Sequence, residues 1–462
     1  MKIGQPNDTI AAIATSIGEA GIGIVRLSGR DALKIADKVF VSKDGKKPSS
    51  FKTYTLHYGR IVDCRAQGGI IDEVILSIMR APRSYTKEDT AEINCHGGFV
   101  ATRAVLDLVL EEGARLAEPG EFTKRAFLNG RLSLDQAEAV LDVIRAKTDS
   151  ALRAGLRQLG GGLSRRINKL RDILLSALSA LEANIDFPEE EAALADPRGI
   201  YKKLEGVNSE VNALINSSKY AQMLREGVHV VICGRPNTGK SSLLNTLLKQ
   251  ERSIVTALPG TTRDTVEEII DIKGIPVRIV DTAGILPPRG LIEKKAVARS
   301  KRYINFADLV ILLFDASRPL CRQDQLLMNK LKKKKVIAVI NKIDLKQKIN
   351  RRMILQRFGT VVDISAKKSR NINLLEDAIC ACLSKGGVAE GEAATGNPRH
   401  TSALKQAQKL IAETLHSLDN KLPPEFAAQG IKDSMLQLDI ILGKDVSVDL
   451  LDKIFSDFCI GK

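Results

Sequence analysis

Gly234, Gly239, Lys240 and Ser241 stand in the order G-x-x-x-x-G-K-S within GRPNTGKSSLLN, directly after the apolar run HVVIC. That spacing asks for a chain of phosphates. The glycines let successive backbone N–H groups curl around phosphate oxygens, the Lys240 ammonium reaches the β and γ oxygens, and the Ser241 hydroxyl ligates Mg²⁺. Thr238 and Ser242 belong to the same nucleotide-binding set, and SSLLNTLL reads as the helix that the loop opens.

Three further groups settle the base. Asp281-Thr282-Ala283-Gly284 closes the run VRIV, where a carboxylate holds Mg²⁺ through water and a glycine N–H meets the γ-phosphate. Asn341-Lys342-Ile343-Asp344 follows VIAVI, and Ser365-Ala366-Lys367 follows VVDI. The Asp344 carboxylate accepts from guanine N1–H and N2–H₂, donors that adenine lacks; leaving it unpaired costs about 1–3 kcal/mol or more. The nucleotide expected is GTP.

Many GTPases place a glutamine directly after D-x-x-G to orient the attacking water, but Ile285 stands there. Either turnover is slow or another polar group does that work. Glu293, one short loop further on, is the nearest candidate, although a glutamate in a charged helix is ordinarily surface. Charge developing between the β and γ phosphates also needs a cation, and no arginine finger is identifiable. The Asn237 side chain offers a neutral oxygen suited to K⁺, the loop TALPGTTRD (Thr256 to Asp264) can close over it with carbonyls, and Thr262 can ligate Mg²⁺.

These residues need a scaffold. From Val228, the runs HVVICG, VRIVDT, DLVILLFDA, KVIAVINK and TVVDISA are apolar enough to be buried on both faces, with helices between them, which predicts a doubly wound, mostly parallel sheet. Before it, GIGIVRLS, DEVILSIM and TAEINC read as strands and VATRAVLDLVLEEGA as a helix, forming a small α/β domain up to about Arg125. Near Leu132 the texture becomes helical. Ser133 and Gln136 make a capping box, and Leu134, Ala137, Val140, Leu141 and Ile144 trace one face of a helix running to the break at Gly160–Gly162. LRDILLSALSALEANI then runs to Pro188. Lys385 to Pro398 reads as a flexible linker, followed by helices in ALKQAQKLIAETLHSL and GIKDSMLQLDIILG, so the sheet domain is expected to be inserted in a helical one.

The totals exclude several classes. At 462 residues the chain suits roughly three domains. Its seven Cys are scattered with no C-x-x-C, and its five His form no H-E-x-x-H, which argues against disulfide or zinc frameworks. No run reaches the roughly 18 apolar residues of a membrane helix, and the N-terminus fits neither a signal nor a transit peptide, so a cytoplasmic protein with no membrane partner is expected. Net charge of +15 suits a polyanionic partner. With aromatics at 4% and no Trp, no base-stacking platform is evident, and the run Lys332 to Lys335 reads as a solvated helix end.

Taken together with DTIAAIAT, GIGIVRLSG, SYTKEDTAEINCHGG, EPGEFTKRAFLNGRLSLDQAEAV, NIDFPEEE and the terminal FCIGK, these segments resemble the MnmE (TrmE) family of tRNA-modification GTPases over nearly the whole chain. The resemblance implies an N-terminal folate-binding and dimerisation domain at 1–125, a helical domain built from 126–222 and 387–462, and a G domain at 223–386. It implies a homodimer, and a heterotetramer with the FAD-bearing flavoprotein MnmG (GidA). It also implies transfer of a carboxymethylaminomethyl or aminomethyl group to C5 of the wobble uridine of tRNA, from 5-formyl- or 5,10-methylene-tetrahydrofolate.

Carried over by position, the resemblance puts the K⁺ ligands on Asn237, Thr256, Leu258 and Thr261, and the water-orienting glutamate on Glu293. It puts the folate contacts on Arg26, Glu92, Arg131 and Lys462, and a thiol role on Cys459. Arg131 stands where Lys is more familiar, and LPPRG is more proline-rich than the family's usual charged loop. Two other readings compete: a ribosome-assembly GTPase, or a regulatory GTPase, neither with tRNA chemistry.

Overall fold

The computed structural model describes residues 8–63, 69–186, 197–250, 268–281, 303–332, 334–383 and 395–462. They form two compact units, one of Met1–Leu141, Leu159–Asn168 and Leu436–Lys462, the other of Asp142–Gln158 and Lys169–Met435. In chain order the first elements are β1 (Ile10–Ile13), β2 (Gly23–Ser28), α1 (Ala32–Val39), β3 (Phe40–Ser42), β4 (Thr55–Asp63), β5 (Gly69–Met79), β6 (Thr90–Cys95), α2 (Phe99–Glu111), β7 (Arg115–Leu116) and α3 (Glu121–Leu128). Helices α4 (Leu134–Arg145), α5 (Asp149–Leu159), α6 (Gly162–Asp186) and α7 (Pro197–Glu226) follow. Then come β8 (Val228–Gly234), α8 (Lys240–Gln250), β9 (Glu268–Ile272), β10 (Ile275–Asp281), β11 (Leu309–Asp315), α9 (Arg322–Lys330), β12 (Val336–Asn341), α10 (Arg351–Leu355), β13 (Val361–Asp363) and α11 (Ile372–Leu383). Helices α12 (Pro398–Asp419), α13 (Pro424–Leu442) and α14 (Val448–Phe455) close the chain.

In the first unit one sheet runs in the order β3-β4-β5-β6-β2-β1-β7, antiparallel except where β1 meets β7. Alternation along β2 sends Val25 and Leu27 into the core with Ile35, Val39, Val105 and Val109 of α1 and α2. The same alternation leaves Arg26 on the other face. Along β6, Ala91 and Ile93 point inward, and Glu92 falls directly opposite Arg26 in the register. Strand β4 was not legible beforehand, because Leu56 and Tyr58 lie on its exposed side and blur the polar alternation.

Helix α4 packs Leu134, Ala137 and Leu141 against Leu451, Phe455 and Phe458 at the end of the chain. The Ser133 N–H donates to Gln136 Oε1 at 3.0 Å, as the capping pattern predicts. The helix expected to continue to Gly160 instead stops at Arg145, and Ile144 is 45% exposed rather than on the packed face. The reason is local. The Thr148 hydroxyl accepts from the Ala151 N–H and donates to the Gly274 carbonyl at 2.8 Å, capping a new helix and fixing where it starts.

The second unit holds a six-stranded sheet in the order β13-β12-β11-β8-β10-β9, parallel except for the β9–β10 pair. Both faces are buried: Val230 and Ile232 of β8 belong to one core, Val231 and Cys233 to the other. That explains the near-continuous apolar runs. Helices α7 and α12 pack along one another, joined by Gln408 Nε2 donating to Asn212 Oδ1. Of the expected linker, residues 385–394 lie outside the described residues. Thr395, Gly396 and Asn397 are buried, so the end of that segment is packed, not a free tether.

Candidate functional site

Strand β8 delivers its last residue, Gly234, into a tight loop whose far end is the first residue of α8, Lys240. Gly239 has φ +97°, and a Cβ there would come within 2.3 Å of the Asn341 Nδ2. Only glycine fits that approach. Asn237 at the tip also has positive φ, +64°, a conformation asparagine tolerates. Lys240 is buried, its ammonium donating to the carbonyls of Gly234 at 3.1 Å and Arg235 at 2.9 Å.

The residues after β12 hold this loop from the other side. Asn341 Nδ2 donates to the Thr238 carbonyl at 2.8 Å, while its Oδ1 accepts from the N–H groups of Lys342 at 2.8 Å and Ala366 at 3.0 Å. Lys342 Nζ donates to the Asn237 carbonyl at 2.7 Å and to Asp315 Oδ2 at 2.6 Å. Asp315 at the end of β11 was not singled out in the sequence. Its carboxyl is partly desolvated, yet hydrogen bonds from Lys342 and Ser317 hold it below the ordinary carboxylate value. A second pair passed over in the sequence is Arg235, whose Nη1 donates to the buried Asp324 at 3.1 Å in the first turn of α9.

Asp344 is exposed and accepts from the Ser365 hydroxyl at 2.6 Å; that bond, ahead of the nearby Lys368 and Lys367, keeps its carboxyl below the usual value. The carboxylate is therefore ionised and available. It lines a cavity of about 430 Å³ with Gly239, Ser242, Asn341, Ser365 and Lys367. Ser241 is exposed in the first turn of α8. The structure thus brings together Asn237, Thr238, Gly239, Lys240, Asn341, Lys342, Asp344, Ser365, Ala366 and Lys367 around one loop system. The backbone of Asp281 ends β10, paired in register with Ile232. Thr256, Leu258, Thr261, Thr262, Thr282, Ala283, Gly284 and Glu293 lie outside the described residues.

A second cavity, about 330 Å³, lies in the first unit, lined by Arg26, Tyr85, Arg131, Leu132, Val140 and Lys462, with Leu159. Arg26 Nε donates to Glu92 Oε1 at 2.8 Å, and its guanidinium also sits 5.7 Å from the Tyr85 ring centroid. Arg131 lies over the same ring at 4.7 Å. Tyr85 was missed in the sequence, where a single Tyr in SYTKED carries no pattern. Its ring lies within cation–π reach of both guanidinium groups, and its hydroxyl bonds Thr123 Oγ1 at 2.9 Å.

The chain terminus is docked beside this cavity. The Phe122 N–H donates to the Lys462 carbonyl at 3.2 Å and the Gly120 N–H to that of Cys459 at 3.4 Å. Gly461, at φ +93°, leaves no room for a side chain, since a Cβ would meet the Ile13 carbonyl at 2.3 Å. Cys459 is exposed. The four residues expected at this site, Arg26, Glu92, Arg131 and Lys462, therefore converge, although Glu92 acts through Arg26 and is not itself on the cavity wall.

Next to the docked terminus, Arg125 is 1% exposed and donates to Asp8 Oδ1 at 2.6 Å, Glu121 Oε1 at 3.0 Å and Glu88 Oε1 at 3.2 Å. Glu121 stands four residues before Arg125 on α3, a helical spacing, but Asp8 and Glu88 come from two other segments that no spacing rule marks.

A parallel sheet whose phosphate loop and N-K-x-D loop close on one cavity defines a P-loop GTPase. The family described as the MnmE helical domain matches residues 134–459, and the one described as GTP-binding protein TrmE N-terminus matches residues 9–131. The tRNA modification GTPase MnmE of Clostridioides difficile is 46% identical over 99% of this chain and 99% of its own. That of Bacillus velezensis is 45% identical over 98% of this chain and 100% of its own. Among solved structures, the G domain of the T. maritima FeoB iron transporter is 30% identical over 34% of this chain and 98% of its own, with a TM-score of 0.26. The chain belongs to the MnmE family of GTPases.

Proposed function

We propose that this chain is a K⁺-dependent GTPase that works with an MnmG-type, FAD-bearing flavoprotein to add a carboxymethylaminomethyl or aminomethyl group to C5 of the wobble uridine of tRNA. The one-carbon unit comes from a tetrahydrofolate derivative. The domain plan is the one the resemblance implies: 1–125, 126–222 with 387–462, and 223–386, acting as a homodimer in the cytoplasm. Among the described residues no helix is long and apolar enough to cross a membrane.

The observation that carries this reading is a cavity walled by Arg26, Arg131 and Lys462 in a chain that also holds a guanine-nucleotide loop set. Cations there suit the glutamate carboxylates of a folate, and the Tyr85 ring suits a flat heterocycle. The nucleotide side is supported by donor chemistry. Ser241 presents a neutral hydroxyl oxygen for Mg²⁺, and the exposed Asn237 side chain makes no hydrogen bond among the described residues, leaving its oxygen for a monovalent cation. Those ions would neutralise charge on the phosphates.

Mass spectrometry of the wobble uridine in cells lacking the gene tests the reaction: the C5 substituent should disappear and return with the intact gene. GTP turnover in K⁺ against Na⁺ tests the ion, and equal rates would refute its role. Full modification by Cys459→Ser with normal hydrolysis would remove the thiol from the scheme.

A further inference from the structure

The positive charge of this chain is not spread evenly. Residues 318–370 hold sixteen Lys and Arg against three Asp and no Glu, so +13 of the chain's +15 falls in that stretch. Two of the three carboxylates are held in ion pairs, and the third, Asp344, lies at the nucleotide cavity. Asp324 is buried and takes Arg235 and the Cys321 N–H; Asp344 is held by Ser365; Asp363 pairs with Arg351.

Helices α9 and α10 bring these cations onto one surface. Met328 and Leu331 at the end of α9, and Ile354 and Phe358 in and after α10, share a single core with Val310, Leu312 and Ala338 of the sheet. Arg357 Nη2 donates to Asn329 Oδ1 at 2.6 Å, tying the two helices side by side. Their outer sides therefore adjoin. They carry Arg322 and Lys330 from α9, Arg351 and Arg352 from α10, and Lys346 and Lys348 from the loop before it, all exposed. Of these six, only Arg351 has an ion pair among the described residues. Lys332 and Lys335 extend the face past the end of α9.

Protein–protein interfaces are depleted in lysine and enriched in aromatic side chains. This face is the reverse: the only aromatic residues in 318–370 are Phe358, which is buried, and none other. Without rings it lacks an aromatic platform for splayed bases, so it suits a folded, double-helical nucleic acid gripped by its phosphates. We propose that the α9–α10 face docks a structured RNA by its backbone; resting on the function proposed above, that RNA is the tRNA substrate. The contact supplies affinity and orientation, and leaves sequence choice to other surfaces.

The test uses the full chain carrying Arg322→Gln, Lys330→Gln, Lys335→Gln and Arg352→Gln together, none of them at the nucleotide site. Binding of fluorescent unfractionated tRNA is measured from 50 to 300 mM KCl. The quadruple variant should bind roughly 30-fold more weakly at low salt, and its plot of log affinity against log salt should be shallower by about 3, near 0.7–0.9 per lost phosphate contact. Its basal GTP hydrolysis should match the unaltered chain. A control carrying Lys202→Gln, Lys203→Gln, Lys405→Gln and Lys409→Gln, exposed positions on α7 and α12, should bind nearly as before.

Equal losses in both quadruple variants would overturn the proposal, since total charge and not this face would then matter. Displacement of tRNA by poly-glutamate at matched charge would also overturn it, in favour of an acidic protein. Unchanged binding by the first variant beside firm binding by the unaltered chain would sink the docking face alone. No tRNA binding by the unaltered chain would sink the proposed function with it.

Discussion

Lys342 donates to the carbonyl of Asn237 at 2.7 Å while Asp315 grips the same ammonium at 2.6 Å. The loop proposed to read the base thus also fixes the tip of the loop proposed to wrap the phosphates. On that reading the two ends of the nucleotide would meet one hydrogen-bonded assembly, and disturbing one end should be felt at the other.

Lys342→Ala should accordingly weaken GTP and GDP alike. Losing charge-assisted bonds of this kind costs about 1.5–3 kcal/mol, or roughly 10- to 150-fold in affinity. A fluorescent-GDP titration measures it. If Asn237 were held by the loop's own geometry, affinity would stay within about twofold.

Asp344→Asn replaces an acceptor with a donor at the base. Affinity for GTP should fall by about 1–3 kcal/mol or more, while xanthine nucleotides, which present a carbonyl where guanine has its amino group, should gain. Competition between GTP and XTP for the variant decides it. A variant that still preferred GTP would mean that guanine is read elsewhere.

Tyr85→Leu should weaken folate binding by roughly 3- to 30-fold, the worth of one or two cation–π contacts of about 0.5–2 kcal/mol, and leave basal GTP hydrolysis alone. Tyr85→Phe keeps the ring beside Arg26 and Arg131 and forfeits only the bond to Thr123, so its affinity should stay near that of the unaltered chain. Calorimetry with a reduced folate separates the two.

The buried ion cluster gives a pH signature. Burial raises the Glu121 pKa, but hydrogen bonds from Arg115, the Glu118 N–H and Arg125 outweigh it and leave the carboxyl below its ordinary 4.5. A group with a depressed folded pKa stabilises fully above its unfolded value, and that stabilisation is lost as pH falls through the folded value. Glu121→Gln should start about 3 kcal/mol less stable at pH 7, because Arg125 loses a buried partner. Between pH 6 and 3.5 its thermal midpoint should drop less steeply than that of the unaltered chain. Parallel curves would show that Glu121 contributes nothing specific to acid sensitivity. Asp8 shifts in the same direction, so the slope should shrink and not vanish.

Local sequence was enough for much of this molecule. Strand β8, its loop and α8 are legible because a phosphate loop is continuous in sequence, and Gly239 announces a place where a Cβ has no room. The runs of β10 to β13 were legible because parallel strands covered on both faces are apolar throughout. Strand β4 escaped, since Leu56 and Tyr58 face outward and the period-2 signal depends on polar residues standing there. The break before α5 escaped because Thr148 caps it through a bond to Gly274, more than a hundred residues away in the chain.

From its own residues the sequence determined the guanine-nucleotide chemistry and the presence of a parallel sheet to hold it, because both rest on neighbours along the chain. Tertiary structure alone decided that Tyr85 meets both Arg26 and Arg131, that the last residue of the chain seats beside them, and that α9 and α10 set their cations on one face. Such juxtapositions come from register, helix packing and terminus docking, which join residues whose separation in sequence carries no period to read.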